Sequence, residues 1–243
     1  MAQIFIFGAS TAYGVGAESG WGDLLKQSIH DKMYGENGIG EKHEVYNFAK
    51  PGATVEFVMD TAVEQIGHYK RNEAIAIVQV GGNNAKATGS PDNFVSTPEE
   101  YGQLMSKLID KLKSSVDTLI VLTITPVDET KTNPKHNPLT GNSSYFKDSR
   151  IALFNQELAK ICNQHDVNLV DVLMEPKEWV ADHLSVDGLH PNQKGYRYIS
   201  EKVAAEINRL LNIWKPSSAS PLKSYGKKLK NLENTPTPPF TPV

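Results

Sequence analysis

The chain has 243 residues, 39% of them hydrophobic and 22% charged, enough apolar content for one sizeable buried core. A formal net charge of −3 gives no bulk attraction to nucleic acid or to an anionic membrane surface. The single cysteine, Cys162, excludes an internal disulfide and any multi-cysteine metal site, and its apolar helical setting in LAKICNQH assigns it to core packing.

In chain order, QIFIF (residues 3–7) reads as a first buried strand, and Trp21, Leu24, Leu25, Ile29 and Met33 mark one face of a helix. EVYNFA (44–49) reads as a strand, followed by a helix face at Val55, Val58, Met59, Ala62 and Ile66. AIAIVQV (74–80) is the clearest buried strand. Tyr101, Leu104, Met105, Leu108, Ile109 and Leu112 then repeat at helical spacing. TLIVLTI (118–124) is a further strand, and Ile151, Phe154, Leu158 and Ile161 a further helix face. VNLVDV supplies the last strand. Ile199, Val203, Ile207, Leu210 and Trp214 mark the closing helix.

Five short apolar strands alternating with helices predict a three-layer α/β/α domain with a five-stranded parallel sheet, over residues 1–214. Residues 125–145 interrupt the alternation as a long polar loop with three prolines, of a kind that serves either as a lid or as a neutral insertion. From Lys215 to Val243 the Pro-, Ser- and Lys-rich composition predicts a flexible or strap-like tail. No run reaches the length of a membrane helix, and QIFIF is too short for a signal peptide, so the chain is expected in the cytoplasm without stable membrane insertion.

Open parallel sheets bind ligands at the carboxyl ends of their strands. That directs attention to residues 8–16, 49–54, 81–97, 125–145 and 171–191. The first of these lies in IFIFGASTAYGVG, where a buried strand breaks at glycine. Such a break serves a phosphate cradle or a turn that presents a serine. A dinucleotide fingerprint needs Gly-x-Gly-x-x-Gly, but the glycines here are 8, 14 and 16, with Ser10 between them; the Gly-Lys-Ser/Thr of a Walker loop is also missing from the stretch. The serine turn is the better reading.

Other strand ends supply what a serine needs. A hydroxyl becomes a nucleophile when an imidazole takes its proton, and the imidazole needs an acceptor on its other nitrogen. Asp187 and His190, three apart in DGLHPNQKGY, form such a pair across a tight turn, and Pro191 suits the start of the helix that follows. Gly52 in NFAKPGATV and Asn83 in VGGNNA are candidate donors toward a developing oxyanion.

The segments FGAS, NFAKPGAT, VGGNN and DGLHPNQKGY, in that order after successive strands, resemble the four defining segments of the SGNH, or GDSL, hydrolase family. With the strand pattern the resemblance covers about residues 3–213. It implies a flavodoxin-like fold and a serine esterase acting on small or medium acyl esters (acetyl, carbohydrate, lipid or thioester). Ser10 would be the nucleophile, His190 the base and Asp187 its orienting carboxylate. The oxyanion hole would comprise the Ser10 N–H, the Gly52 N–H and the Asn83 side chain, with no cofactor or metal. Two positions depart from the family pattern. An acid usually precedes the nucleophile, where this chain has Ala9, and another usually follows the oxyanion asparagine, where it has Asn84.

Three other readings use overlapping residues. An acyltransferase would use the same serine site with an acceptor other than water. A non-catalytic ligand-binding protein would keep the pocket without turnover, a reading that Ala9 and Asn84 keep open. A zinc or manganese hydrolase would use Asp182, His183, Asp187 and His190 but leave Ser10, Gly52 and Asn83 without a role. His183 is expected at the surface or pocket rim. His30, His43, His68, His136 and His165 are expected to be solvated. Trp179, Phe94 and Tyr145 are placed either on the pocket or under its loops, with packing favoured for Trp179.

Overall fold

The computed structural model of the chain describes residues 1–35, 42–137 and 141–211. It divides the chain into a unit over Met1–Glu206 and a second, Ile207–Val243, of which only 207–211 are described. The expected tail (215–243) and Trp214 lie outside the described residues, as do residues 138–140 of the polar loop.

β1 (Ala2–Gly8) is seven buried residues, and it leads into the one-turn helix α1 (Ser10–Tyr13) and then α2 (Trp21–Gly35). β2 (Glu44–Asn47) is followed by α3 (Val55–Tyr69) and β3 (Glu73–Gln79). A short α4 (Gly82–Ala85) and β4 (Ala87–Thr88) precede α5 (Pro98–Lys113). α5 begins at a capping box in which Thr97 and Glu100 exchange hydrogen bonds, with Pro98 in the first turn where its missing N–H costs nothing. β5 (Thr118–Leu122), α6 (Glu129–Thr132), β6 (Lys135–His136) and β7 (Ser143–Tyr145) come next. α7 (Asp148–Gln164), β8 (Asn168–Val170), α8 (Pro176–Asp182) and α9 (Gln193–Leu211) complete the described chain.

The main sheet has the order β2-β1-β3-β5-β8 with every pair parallel. Register sets Ile4 against Val45 on one side and Ile75 on the other. This is the doubly wound order of the flavodoxin-like folds, with its switch point between β1 and β3. Side chains alternate faces along each strand. Phe5, Phe7, Ala76, Val78 and Val121 thus join the helices α3, α5 and α7 in one apolar cluster. Ile4, Ile6, Ile75, Ile77 and Ile120 are buried on the opposite face, where Gly22 of α2 abuts Ile6 and the buried Ile199 and Val203 belong to α9. Cys162 is part of the first cluster, and burial pushes its thiol up to about 12.

The expected strands and long helices are therefore present, with β1 and β3 beginning one residue earlier and β2, β5 and β8 ending two residues sooner than expected. What differs is the treatment of the loops. Residues from 84–97 and 125–145 form a second, three-stranded antiparallel sheet, β4-β7-β6, in which Ala87 pairs with Tyr145 and Lys135 with Ser144. Strands of two or three residues carry no readable alternation. α8 was likewise not anticipated. Its Trp179 is fully buried and donates through Nε1 to the Pro126 carbonyl at 3.0 Å, tying α8 to the segment after β5. Among the described residues no helix is long and apolar enough to cross a membrane.

Candidate active site

The end of β1 sets the position of Ser10. The strand stops at Gly8, and Ser10 opens α1 directly beyond the sheet edge. The following segment must turn back against residues 185–191. At Gly16 the backbone has φ +103, and a Cβ there would lie 2.9 Å from that of His190, so only glycine allows the approach. Tyr196 of α9 holds the same segment by donating its hydroxyl to the Val15 carbonyl at 2.6 Å.

Ser10 Oγ lies 2.8 Å from His190 Nε2, and His190 Nδ1 lies 2.6 Å from Asp187 Oδ2. The 187–190 turn is built by Asp187 itself. Its Oδ1 accepts from the Leu189 N–H at 2.9 Å, the His190 N–H at 3.0 Å and the Ser185 hydroxyl at 2.6 Å, with Gly188 in the left-handed region. Burial alone would raise the Asp187 carboxyl. The hydrogen bonds from the His190 ring, the His190 N–H, Ser185 and the Leu189 N–H outweigh that and hold it well below the usual carboxylate range. Lys135 of β6 adds a cation, with Nζ 3.0 Å from the Asp187 carbonyl and 3.3 Å from Oδ2. Pro191 lies just outside the helix it was expected to start: α9 begins at Gln193, and Asn192 caps it by accepting from the N–H groups of Lys194 and Gly195.

Gly52 and Asn83 stand on either side of Ser10 across the switch point, after β2 and β3. Gly52 has φ +84 with open space around its Cα. Asn83 is buried, donating from Nδ2 to the Ala53 carbonyl at 3.0 Å and accepting at Oδ1 from Lys86 Nζ at 3.2 Å. Those two partners fix which end of the amide is which. The groove beside them holds about 340 Å³ and is lined by Ser10, Gly52, Asn83, Lys135, His136 and His190, among others. A smaller cavity of about 60 Å³ adjoins it, and Ser10, Asn83, Phe146 and Leu189 line both.

All five residues singled out in the sequence thus converge on one site. Lys86, Lys135 and Ser185 were missed. Lys86 alone carried a signal, three residues beyond Asn83 on a helical turn. The other members of the candidate metal set point elsewhere: Asp182 pairs with Lys194 Nζ at 2.7 Å, and His183 stacks on Trp179. His183 is therefore a core residue and not a rim residue, enclosed because α8 folds over it; its Nδ1 meets no hydrogen-bond partner among the described residues. His43 is also buried, accepting at Nδ1 from the Ala2 N–H. His165 is not solvated either, since Ser106 Oγ at 2.7 Å and Asp110 at 3.1 Å flank its ring. Phe94 packs beneath the Arg150 guanidinium, 3.6 Å from the ring centre.

A family profile matches this chain. GDSL-like Lipase/Acylhydrolase covers residues 4–203, most of the sequence and all the strand-end segments above. The chain belongs to that family. It is accordingly a carboxylic ester hydrolase. Solved structures agree on the fold. The lipase/acylhydrolase from Enterococcus faecalis is 20% identical with a TM-score of 0.66, covering 89% of this chain and 100% of that one. A lipolytic G-D-S-L family protein from Veillonella parvula is 16% identical with a TM-score of 0.63, at 86% and 100% coverage. A psychrotrophic esterase from Pseudoalteromonas sp., solved with monoethylphosphonate as inhibitor, is 19% identical with a TM-score of 0.59, at 86% and 98%. No curated protein sequence matches the chain.

Proposed function

We propose that this family member hydrolyses small or medium acyl esters through an acyl-enzyme on Ser10. The observation that carries the reading is the continuous chain from Ser10 Oγ to His190 Nε2 and from His190 Nδ1 to Asp187 Oδ2. His190 takes the Ser10 proton as Oγ attacks the ester carbonyl. Asp187, held ionised by its four hydrogen bonds, keeps the ring in the tautomer that presents a bare Nε2 and then stabilises the imidazolium. Negative charge gathering on the carbonyl oxygen meets the N–H groups of Ser10 and Gly52 and the second Nδ2 proton of Asn83, whose first is spent on Ala53. Collapse of that intermediate expels the alcohol, which takes its proton from His190. Water, deprotonated by the same imidazole, then releases the acid and restores Ser10.

The departure at Asn84 is compatible with this chemistry. Its Oδ1 accepts from the Val55 N–H at the start of α3, and its Nδ2 donates to Glu56 and Ser96. The cytoplasm is the proposed compartment, supported by a lone buried cysteine that needs no oxidising environment.

The test is covalent labelling. A fluorophosphonate should add once, on the peptide carrying Ser10, and the Ser10→Ala protein should stay unmodified. A folded wild-type protein that takes no label would overturn the reading in favour of a binding protein with a silent site.

A further inference from the structure

The polar segment that follows β5 returns against the turn carrying Asp187 and His190. Asp128 donates its N–H to the Gly188 carbonyl at 2.8 Å. A Cβ on Gly188 would lie 2.8 Å from that of Lys131 and 3.2 Å from that of Asp128, so α6 sits directly on the turn. Just beyond α6, Lys135 Nζ donates to the Asp187 carbonyl at 3.0 Å and lies 3.3 Å from Asp187 Oδ2. That is the oxygen His190 Nδ1 meets at 2.6 Å.

We propose that Lys135 is a positioning residue for Asp187, and that the segment Asp128–Lys135 is a fixed support of this turn and not a lid. The proposal rests on the Ser10 acyl-enzyme reading, in which Asp187 orients His190. Three donors hold Asp187 Oδ1: the Leu189 N–H, the His190 N–H and the Ser185 hydroxyl. They fix one end of the carboxylate and leave Oδ2 free to swing about it. Lys135 spans Oδ2 and the backbone carbonyl of the same residue, and this second tie removes that freedom. The angle matters because the ring must aim Nε2 at Ser10 Oγ, 2.8 Å away.

The support is itself anchored. Phe146 donates its N–H to the Thr132 carbonyl at 2.9 Å, and the Thr132 hydroxyl reaches the Phe146 carbonyl at 3.1 Å. Lys135 pairs with Ser144, and Tyr145 pairs with Ala87, shortly after Asn83. A lid would have to break the Asp128 and Lys135 bonds to the turn together each time it opened. One effect opposes the proposal: an ammonium beside Oδ2 competes with the imidazolium for the same carboxylate. Water reaches both partners, with the Lys135 and Asp187 side chains 29% and 30% exposed, and screens that repulsion. The positional tie is not screened, so it dominates.

The experiment measures kcat and KM for p-nitrophenyl acetate on the full chain and on folded Lys135→Met, Lys135→Arg, Asp187→Asn and Asp187→Asn/Lys135→Met proteins, with circular dichroism as the check of folding. The wild-type protein is also labelled with a fluorophosphonate. Lys135→Met should lower kcat by about tenfold and leave KM within about twofold, since a slip of about 1 Å in such a constellation can cost a hundredfold. Lys135→Arg, which keeps a cation able to span both oxygens, should recover most of the loss. In the Asp187→Asn background the same methionine should change kcat by less than about twofold, because the tie it removes no longer leads to the ring. If Ser10 takes the label but Lys135→Met keeps or raises kcat, the positioning role is wrong while the serine reading stands. A loss confined to KM, or one of equal size in both backgrounds, overturns the role as well. No label and no turnover of the ester would overturn both.

Discussion

Lys86 Nζ donates to the Oδ1 of Asn83 at 3.2 Å, the opposite end of the amide from the Nδ2 that donates to the Ala53 carbonyl. Lys86 is itself half-buried, and burial lowers its ammonium below the ordinary lysine value. A cation on the carbonyl end of an amide polarises its N–H bonds and, with Ala53 on Nδ2, stops the group from rotating.

In the proposed mechanism, where Asn83 donates to the oxyanion, Lys86 would act as a positioning residue for Asn83. Replacing Asn83 by Ala should lower kcat by about 10²–10³ with the fold intact. Lys86→Met should lower kcat by about tenfold with little change in KM, because the amide strengthens in the transition state more than in the ground state. Steady-state kinetics on a short-chain ester separates the two parameters. A Lys86→Met protein whose loss falls wholly in KM would show that Lys86 serves substrate binding instead.

Asn84 tests why this chain departs from the family pattern. An amide there caps α3 with one end and faces the Glu56 carboxylate with the other, Nδ2 to Oε2 at 3.1 Å. Asn84→Asp keeps the acceptor but sets two carboxylates side by side, so one of them would have a raised value in the folded protein. A raised carboxylate removes stability as pH rises through the ordinary carboxylate range. Thermal or urea unfolding should therefore find Asn84→Asp less stable by about 1–3 kcal/mol at pH 7, with the gap closing toward pH 4. Adding Glu56→Gln should restore most of the loss. A gap that stays constant with pH would mean the cost is steric and not electrostatic.

Asp187 has the opposite sign. Its folded-state value is depressed, so it stabilises the protein above the unfolded carboxylate value of about 4 and loses that contribution as pH falls further. Asp187→Asn should be less stable than wild type at neutral pH, and the difference should shrink below about pH 4. The same substitution gives His190 a neighbour that no longer selects its tautomer, and kcat should fall by about 10³–10⁴. Unfolding curves from pH 3 to 7, paired with ester turnover at pH 7, check both. A stability gap that widens on acidification would contradict the depressed carboxyl.

The amino-acid sequence alone determined the main sheet and the helices that cover it. The buried strands are continuous apolar runs such as AIAIVQV, and the helices repeat their apolar residues at 3.6 spacing, as from Tyr101 to Leu112. Local pattern also carried Ser10, Gly52, Asn83, Asp187 and His190, because the strand ends of a parallel sheet bring such segments to one edge. Only the tertiary structure decided the rest. The strands β4, β6 and β7 are two or three residues long and exist because distant segments pair. Lys135 meets Asp187 across 52 residues of chain, an encounter no local spacing records. Trp179 and His183 are enclosed because α8 folds back onto Pro126. The cavity beside Ser10 is likewise a joint product of residues from five separate segments, between Ala9 and Leu189. Its volume is what close packing leaves over, and that remainder depends on every wall at once.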